Sequence, residues 1–126
     1  MKEQRIKVLM VEPSKHPKIT YLDNNLRALQ EAVSIGADYT GLIEILSLDD
    51  ATCILCNEEG KLIGLEPNRR LGNDVLCGVF YVVGQNKHGD LTSLSEEAIQ
   101  TYTEYFYEPE DIEDSSITLI IDFEIY

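Results

Sequence analysis

No lysine or arginine follows Lys87. The first 87 residues carry 12 acidic and 10 basic side chains, a balance of −2, whereas the last 39 carry 11 acids and no Lys or Arg, a balance of −11. A fold does not require such segregation, so it bears on partners. The net charge of −13 argues against direct binding to bare nucleic acid, whose phosphates would be repelled, and to anionic membrane surfaces. No apolar run approaches the roughly 18 residues a membrane span needs. Met1-Lys2-Glu3-Gln4-Arg5 leads into a short alternating segment and not into a signal-peptide core. Cysteine is scarce and odd in number, three in 126 residues, which fits reduced thiols in a cytosol. Glycines are scattered at strand ends and turns, so there is no Gly-rich phosphate loop. Internal repeats and low-complexity segments are also missing.

What is present reads as one domain over residues 1–126. Arg5 to Glu12 is a strand with both faces apolar, which predicts a central position. Pro13 to Lys18 is a basic loop, and Ile19 to Leu22 a short second strand. Asp23 stands where a helix cap belongs, ahead of Leu26, Leu29 and Val33, with Gly36 as the stop. Leu42 to Leu48 and Ala51 to Asn57 are strands. Glu58-Glu59-Gly60 is a hairpin turn with Gly60 free to take positive φ, and Lys61 to Leu65 returns as a strand. Pro67 to Leu71 is irregular or one helical turn. Val75 to Val83 is one β-branched strand in mid-sheet, and Gln85 to Asp90 a polar turn. Ser95 caps a second helix, with Leu94 and Ile99 at the staple positions around it, and Pro109 closes it near Tyr107. Residues 108–126 form an acidic linker and a C-terminal strand, in which Ile117, Leu119, Ile121, Phe123 and Ile125 alternate with more polar neighbours. That strand can pair within the chain or across a homodimer. The expected fold is α+β, a mostly antiparallel or mixed sheet of about six strands with two helices packed on it.

Three groups of residues could carry chemistry or binding. Cys53 and Cys56 have CxxC spacing. A zinc site needs two more ligands, and only Cys77, His16 and His88 remain. An i, i+3 pair within a strand points to opposite faces, which favours buried structural thiols over metal or redox chemistry. No metal or cofactor is expected. His16 and His88 lie in polar loops without a nucleophile motif, and the acids gather in linkers and turns, so no enzyme activity is expected. Asn57, Lys61, Asn68, Arg69 and Arg70 could gather at one end of the sheet as a small-ligand site for a nucleotide signal. The competing reading has their side chains tie down loop carbonyls. Finally, Glu104, Glu108, Glu110, Asp111, Glu113 and Asp114 are six acids in eleven residues, interleaved with Tyr105 and Tyr107. They read either as a solvated helix end or as a surface that imitates nucleic-acid charge. Carboxylates spaced several ångströms apart can occupy a basic groove meant for phosphates, and tyrosines add contact area.

A family resemblance joins these residues. Lys7-Val8-Leu9-Met10-Val11-Glu12-Pro13, Leu22-Asp23 with Leu26-Arg27-Ala28-Leu29-Gln30, and Cys56-Asn57-Glu58-Glu59-Gly60-Lys61-Leu62 with Gly64-Leu65 and Pro67-Asn68-Arg69 make up its first part. Gly78-Val79-Phe80-Tyr81-Val82-Val83-Gly84 and Ser93-Leu94-Ser95 complete it. Over about residues 5–107 the chain resembles the domain-of-unknown-function family 3846 of Firmicutes and their phages and mobile elements. The segment from Ala37 to Thr40 is longer than usual. The resemblance implies no activity, cofactor or catalytic residue. It implies a genomic neighbourhood in which small acidic proteins block host defence nucleases. The expectation is therefore a binding inhibitor of a basic nucleic-acid-handling protein, such as a CRISPR effector or a restriction enzyme. Its contact surface would be the acidic C-terminal third.

Overall fold

Alternation of Ile6, Val8 and Met10 with Leu9 and Val11 gives the first strand two apolar faces, and both must be covered. In the computed structural model, which describes residues 3–112, they are. The chain runs β1 (Arg5–Val11), β2 (Lys18–Asp23), α1 (Leu26–Ala32), β3 (Ile43–Asp49), β4 (Thr52–Asn57), β5 (Pro67–Leu71), β6 (Asp74–Cys77), β7 (Phe80–Gln85), β8 (Leu91–Thr92) and α2 (Glu96–Tyr105). Among the described residues, six strands form one sheet in the order β2-β1-β7-β4-β3, with β8 paired to the end of β7. Every pairing is antiparallel. β5 and β6 make a separate antiparallel hairpin. The fold is α+β.

Side chains alternate between the faces of a strand, and the two cores follow that alternation. Leu9, Val11, Ile54, Cys56, Phe80 and Val82 meet Leu94, Ile99 and Phe106 on the α2 side. Ile6, Val8, Cys53, Leu55, Tyr81 and Val83 meet Leu29 and Val33 on the α1 side. The helices therefore lie on opposite faces of one sheet. Each buried aliphatic or aromatic side chain contributes about 1.5–3 kcal/mol. A smaller cluster of Leu65, Val75, Cys77 and Ile112 lies by the β5–β6 hairpin.

Ser95 caps α2 as its sequence suggests, accepting from Ala98 N at 3.1 Å. The first helix starts later than the pattern implies. Asn25, not Asp23, is the cap, and its side chain accepts from Ala28 N at 2.9 Å. Asp23 is still paired with Arg5 in the sheet. Buried Asn24 then fixes the chain by donating to the carbonyls of Glu3 and Leu91. The helix ends at Ala32 with Val33 as its C-cap, before Gly36, which adopts φ 89° in the following turn.

Four further expectations are corrected around the hairpin. Lys61 to Leu65 is a string of turns and not a strand, because Ile63 N bonds to Glu59 O at 3.0 Å and Leu65 N to Gly60 O at 3.0 Å. Gly60 is not in the left-handed region; glycine is required there because a Cβ would stand 2.7 Å from the Cys77 carbonyl oxygen. Pro67 to Leu71 is strand β5, and the run from Val75 to Val83 is two strands. Gly78, at φ 84°, turns the chain from the hairpin into the main sheet. The C-terminal strand over residues 117–125 lies outside the described residues.

Candidate partner-binding site

Phe106 anchors the end of α2. It is buried and packs edge-on against Phe80, with ring centroids 5.1 Å apart. With that side fixed, the residues around it face solvent. Glu104, Glu108 and Asp111 are exposed, Tyr105 is 63% exposed and Tyr107 46%. Tyr107 is oriented by His16, whose ring stacks on it at 4.2 Å and whose Nδ1 lies 2.7 Å from the Tyr107 carbonyl oxygen. Tyr102 turns the other way and donates to Asp49 Oδ2 at 2.5 Å. That bond holds the Asp49 carboxyl below its ordinary range, while partial burial and Asp49 push the Tyr102 hydroxyl up to about 12.

Glu110 differs from the other acids. It accepts from Arg70 N at 3.2 Å and lies 3.9 Å from Arg70 Nε, so it folds the acidic segment back onto β5. The basic loop lies against the end of α2 through His16, and its Lys15 and Lys18 both pair with Glu12, at 3.4 and 3.3 Å. Partial burial raises the Glu12 carboxyl, but the two lysines outweigh it and the group titrates below its ordinary value. Glu104, Glu108, Asp111, Tyr105 and Tyr107 are thus all exposed at or just beyond the end of α2, and Asp111 lines a cleft with Glu110, Ser14, Glu66 and Pro67. Glu113 and Asp114 lie outside the described residues.

The second candidate group is dispersed. Arg69 is fully buried. Its Nε donates to Phe106 O at 3.1 Å, Nη1 to Asn68 Oδ1 at 2.8 Å and Nη2 to Lys15 O at 2.6 Å. Burial lowers its guanidinium from the ordinary value, opposed by the charge of Glu110. Asn68, also fully buried, donates to Val11 O at 2.9 Å and Gly78 O at 2.8 Å. Asn57 accepts from Glu59 N at 2.9 Å and reaches Val33 O and Ser34 Oγ. Lys61 pairs with Asp74, and Arg70 with Glu110. Asn57 and Lys61 line a cleft of about 220 Å³ with Glu44, Glu58 and Asp74, whereas Asn68, Arg69 and Arg70 do not reach it. Asn68 and Arg69 tie backbone carbonyls together.

The thiols of the CxxC pair enter opposite cores, Cys53 on the α1 side and Cys56 on the α2 side. Burial pushes Cys53 up to about 11; burial and then Glu44 push Cys56 up to about 12. Among the described residues, no group of three or more His, Cys, Asp or Glu is placed to hold a metal ion. Nor is any helix among them long and apolar enough to cross a membrane.

The sequence model of the family described as Domain of unknown function (DUF3846) matches residues 6–107. The chain belongs to the DUF3846 family. The match takes in the sheet except Arg5 at the start of β1, both helices and the hairpin, and it ends at Tyr107, the residue against which His16 stacks. The acids from Glu108 onward lie beyond the DUF3846 match. Neither the curated proteins nor the solved structures gave a match.

Proposed function

We propose that this DUF3846 protein is a binding inhibitor. It occupies the nucleic-acid groove of a basic partner, a host defence protein of the CRISPR-effector or restriction-enzyme class. The observation that carries this reading is the exposure of acids and tyrosines at and just beyond the end of α2. There Glu104, Glu108 and Asp111 stand in solvent beside Tyr105 and Tyr107, in a stretch that has no Lys or Arg after Lys87. Separated carboxylates at and just beyond a helix end can take the place of phosphates in a basic groove, and exposed tyrosines supply rigid contact area. Association with such a groove is electrostatically steered, fast and weakened by salt.

The small-ligand reading has less geometry behind it. Asn68 and Arg69 are buried and hydrogen-bonded to backbone, and Lys61 already has Asp74 as its partner.

The test is capture from lysate of a Firmicute host, with washes at low and high salt and competition by duplex DNA or RNA. The reading expects a nucleic-acid-handling protein that high salt or nucleic acid releases. It also expects loss of capture in a variant carrying Glu104→Gln, Glu108→Gln and Asp111→Asn with unchanged thermal stability. Capture that survives those three changes, or that nucleic acid does not compete, would overturn it.

A further inference from the structure

We propose that the open edge of β3, with the groove on its α1 side, is a second docking surface. Its occupant is an extended segment of a partner protein in which aliphatic residues alternate with Lys or Arg.

β3 ends the sheet order, so among the described residues its outer backbone groups have no neighbouring strand. Helix α1 has only 7 residues and leaves this end of its face uncovered. Ile45 is 51% exposed, Leu42 57% and Leu26 67%. With Ile43 and Leu55 they line a groove of about 510 Å³. A contiguous apolar recess beside an unpaired strand edge is the arrangement that strand addition uses: backbone hydrogen bonds give affinity, and pockets for alternate side chains give specificity.

Charge selects the occupant. Glu58 and Asp90 line the groove, and no lysine, arginine or histidine is among its described lining residues. Across β3 and β4, the cleft on the other face is lined by Glu44, Glu58 and Asp74 with one lysine, Lys61, already paired to Asp74. A strand laid along β3 sends alternate side chains to the two faces. One set meets Leu26, Leu42 and Ile45; the other meets half-buried Leu46 and Leu48 and, at the open end, Glu44, where cations are attracted and carboxylates repelled. A second copy of this chain would bring its own Glu44, Asp49 and Asp50 and a charge of −13 to the same edge. Residues 117–125 of the chain itself carry Asp122 and Glu124 between their apolar positions and would set those acids against Glu44. Both are disfavoured relative to a basic segment. This surface is separate from the α2 end and goes beyond the inhibitor reading.

The test uses the full-length chain and a short blocked peptide alternating valine with lysine, followed by backbone amide shifts in NMR. The expected result is shifts concentrated in residues 42–49 and around Leu26, weakened by salt and lost in Ile45→Asp. They persist in the variant neutralised at Glu104, Glu108 and Asp111. Equal shifts with a valine–glutamate peptide, or none with the lysine peptide, would overturn the proposal without recourse to a variant. So would a free chain whose β3 edge is already paired, either in a dimer seen by sedimentation or with residues 117–125 seen by cross-strand NOEs.

Discussion

Arg69 Nε donates a 3.1 Å hydrogen bond to the carbonyl oxygen of Phe106, the residue that caps α2. The same guanidinium reaches Lys15 O at 2.6 Å, so one buried side chain from β5 joins the basic loop to the end of the second helix. Arg69→Met keeps the bulk and removes the donors, leaving both carbonyls short of a partner. The expected loss is about 2–5 kcal/mol of stability, read as a fall in the urea midpoint. Arg69→Lys is expected to recover little, because one ammonium cannot reproduce the planar fork. Hydrogen exchange should show residues 13–18 and 104–107 loosening together.

Gly60→Ala tests a close approach of backbone to backbone. The new Cβ would stand 2.7 Å from Cys77 O, and a carbonyl within the hairpin cannot swing aside as a side chain can. A loss of about 1–3 kcal/mol is expected, measured by thermal or urea unfolding. Gly64→Ala is a useful contrast, since nothing lies within 4 Å of its Cβ position and the cost there comes from φ 75° alone.

Much of the sheet was legible because period-2 apolarity survives burial. Cys53 and Cys56 go to opposite cores, as an i, i+3 pair in a strand must. The hairpin was illegible for two reasons. β5 carries Asn68, Arg69 and Arg70 where an apolar period would be sought, and the partners of buried Arg69 lie 37 and 54 residues away in sequence. The break at Gly78 hides inside a β-branched run; it depends on Leu65, whose Cδ1 would be 2.8 Å from a Cβ there. The exposure of Glu104, Glu108 and Asp111 was legible because unpaired carboxylates are forced outward, even between buried Phe106 and Ile112. The groove by β3 was not, since it depends on how short α1 is, and helix boundaries are the least certain part of a periodicity reading.

Raising the pH should destabilise the fold before any exposed group would account for it. Burial pushes Cys56 from 9.0 up to about 12, Cys53 from 9.0 up to about 11 and Tyr81 from 10.0 up to about 12. In each case the folded state keeps a proton that the unfolded chain releases. The contribution is therefore complete below about pH 9 and falls as the pH rises toward 12. Tyr81 has a specific reason to resist ionisation, since its hydroxyl donates to Ala32 O at 3.0 Å. Urea midpoints should be flat from about pH 7 to 8.5 and drop steeply above that. A flat profile to about pH 11 would contradict burial of these groups.

Local placement of the acids, and not total charge, should govern association with a basic partner. Glu104→Gln, Glu108→Gln and Asp111→Asn remove three charges from the α2 end. Asp38→Asn, Asp50→Asn and Glu97→Gln remove three exposed charges elsewhere and bring the chain to the same net charge. Steering depends on the field at the contact, which screening cuts off beyond about 8–10 Å at physiological salt. The first variant should therefore associate about tenfold or more slowly and show a shallower dependence of rate on salt. The second should stay close to the wild type. Stopped-flow association with the captured partner, measured at several salt concentrations, separates the two. Equal slowing in both variants would mean that the partner senses only overall charge, and the tyrosine-lined end of α2 would lose its claim to be the contact surface.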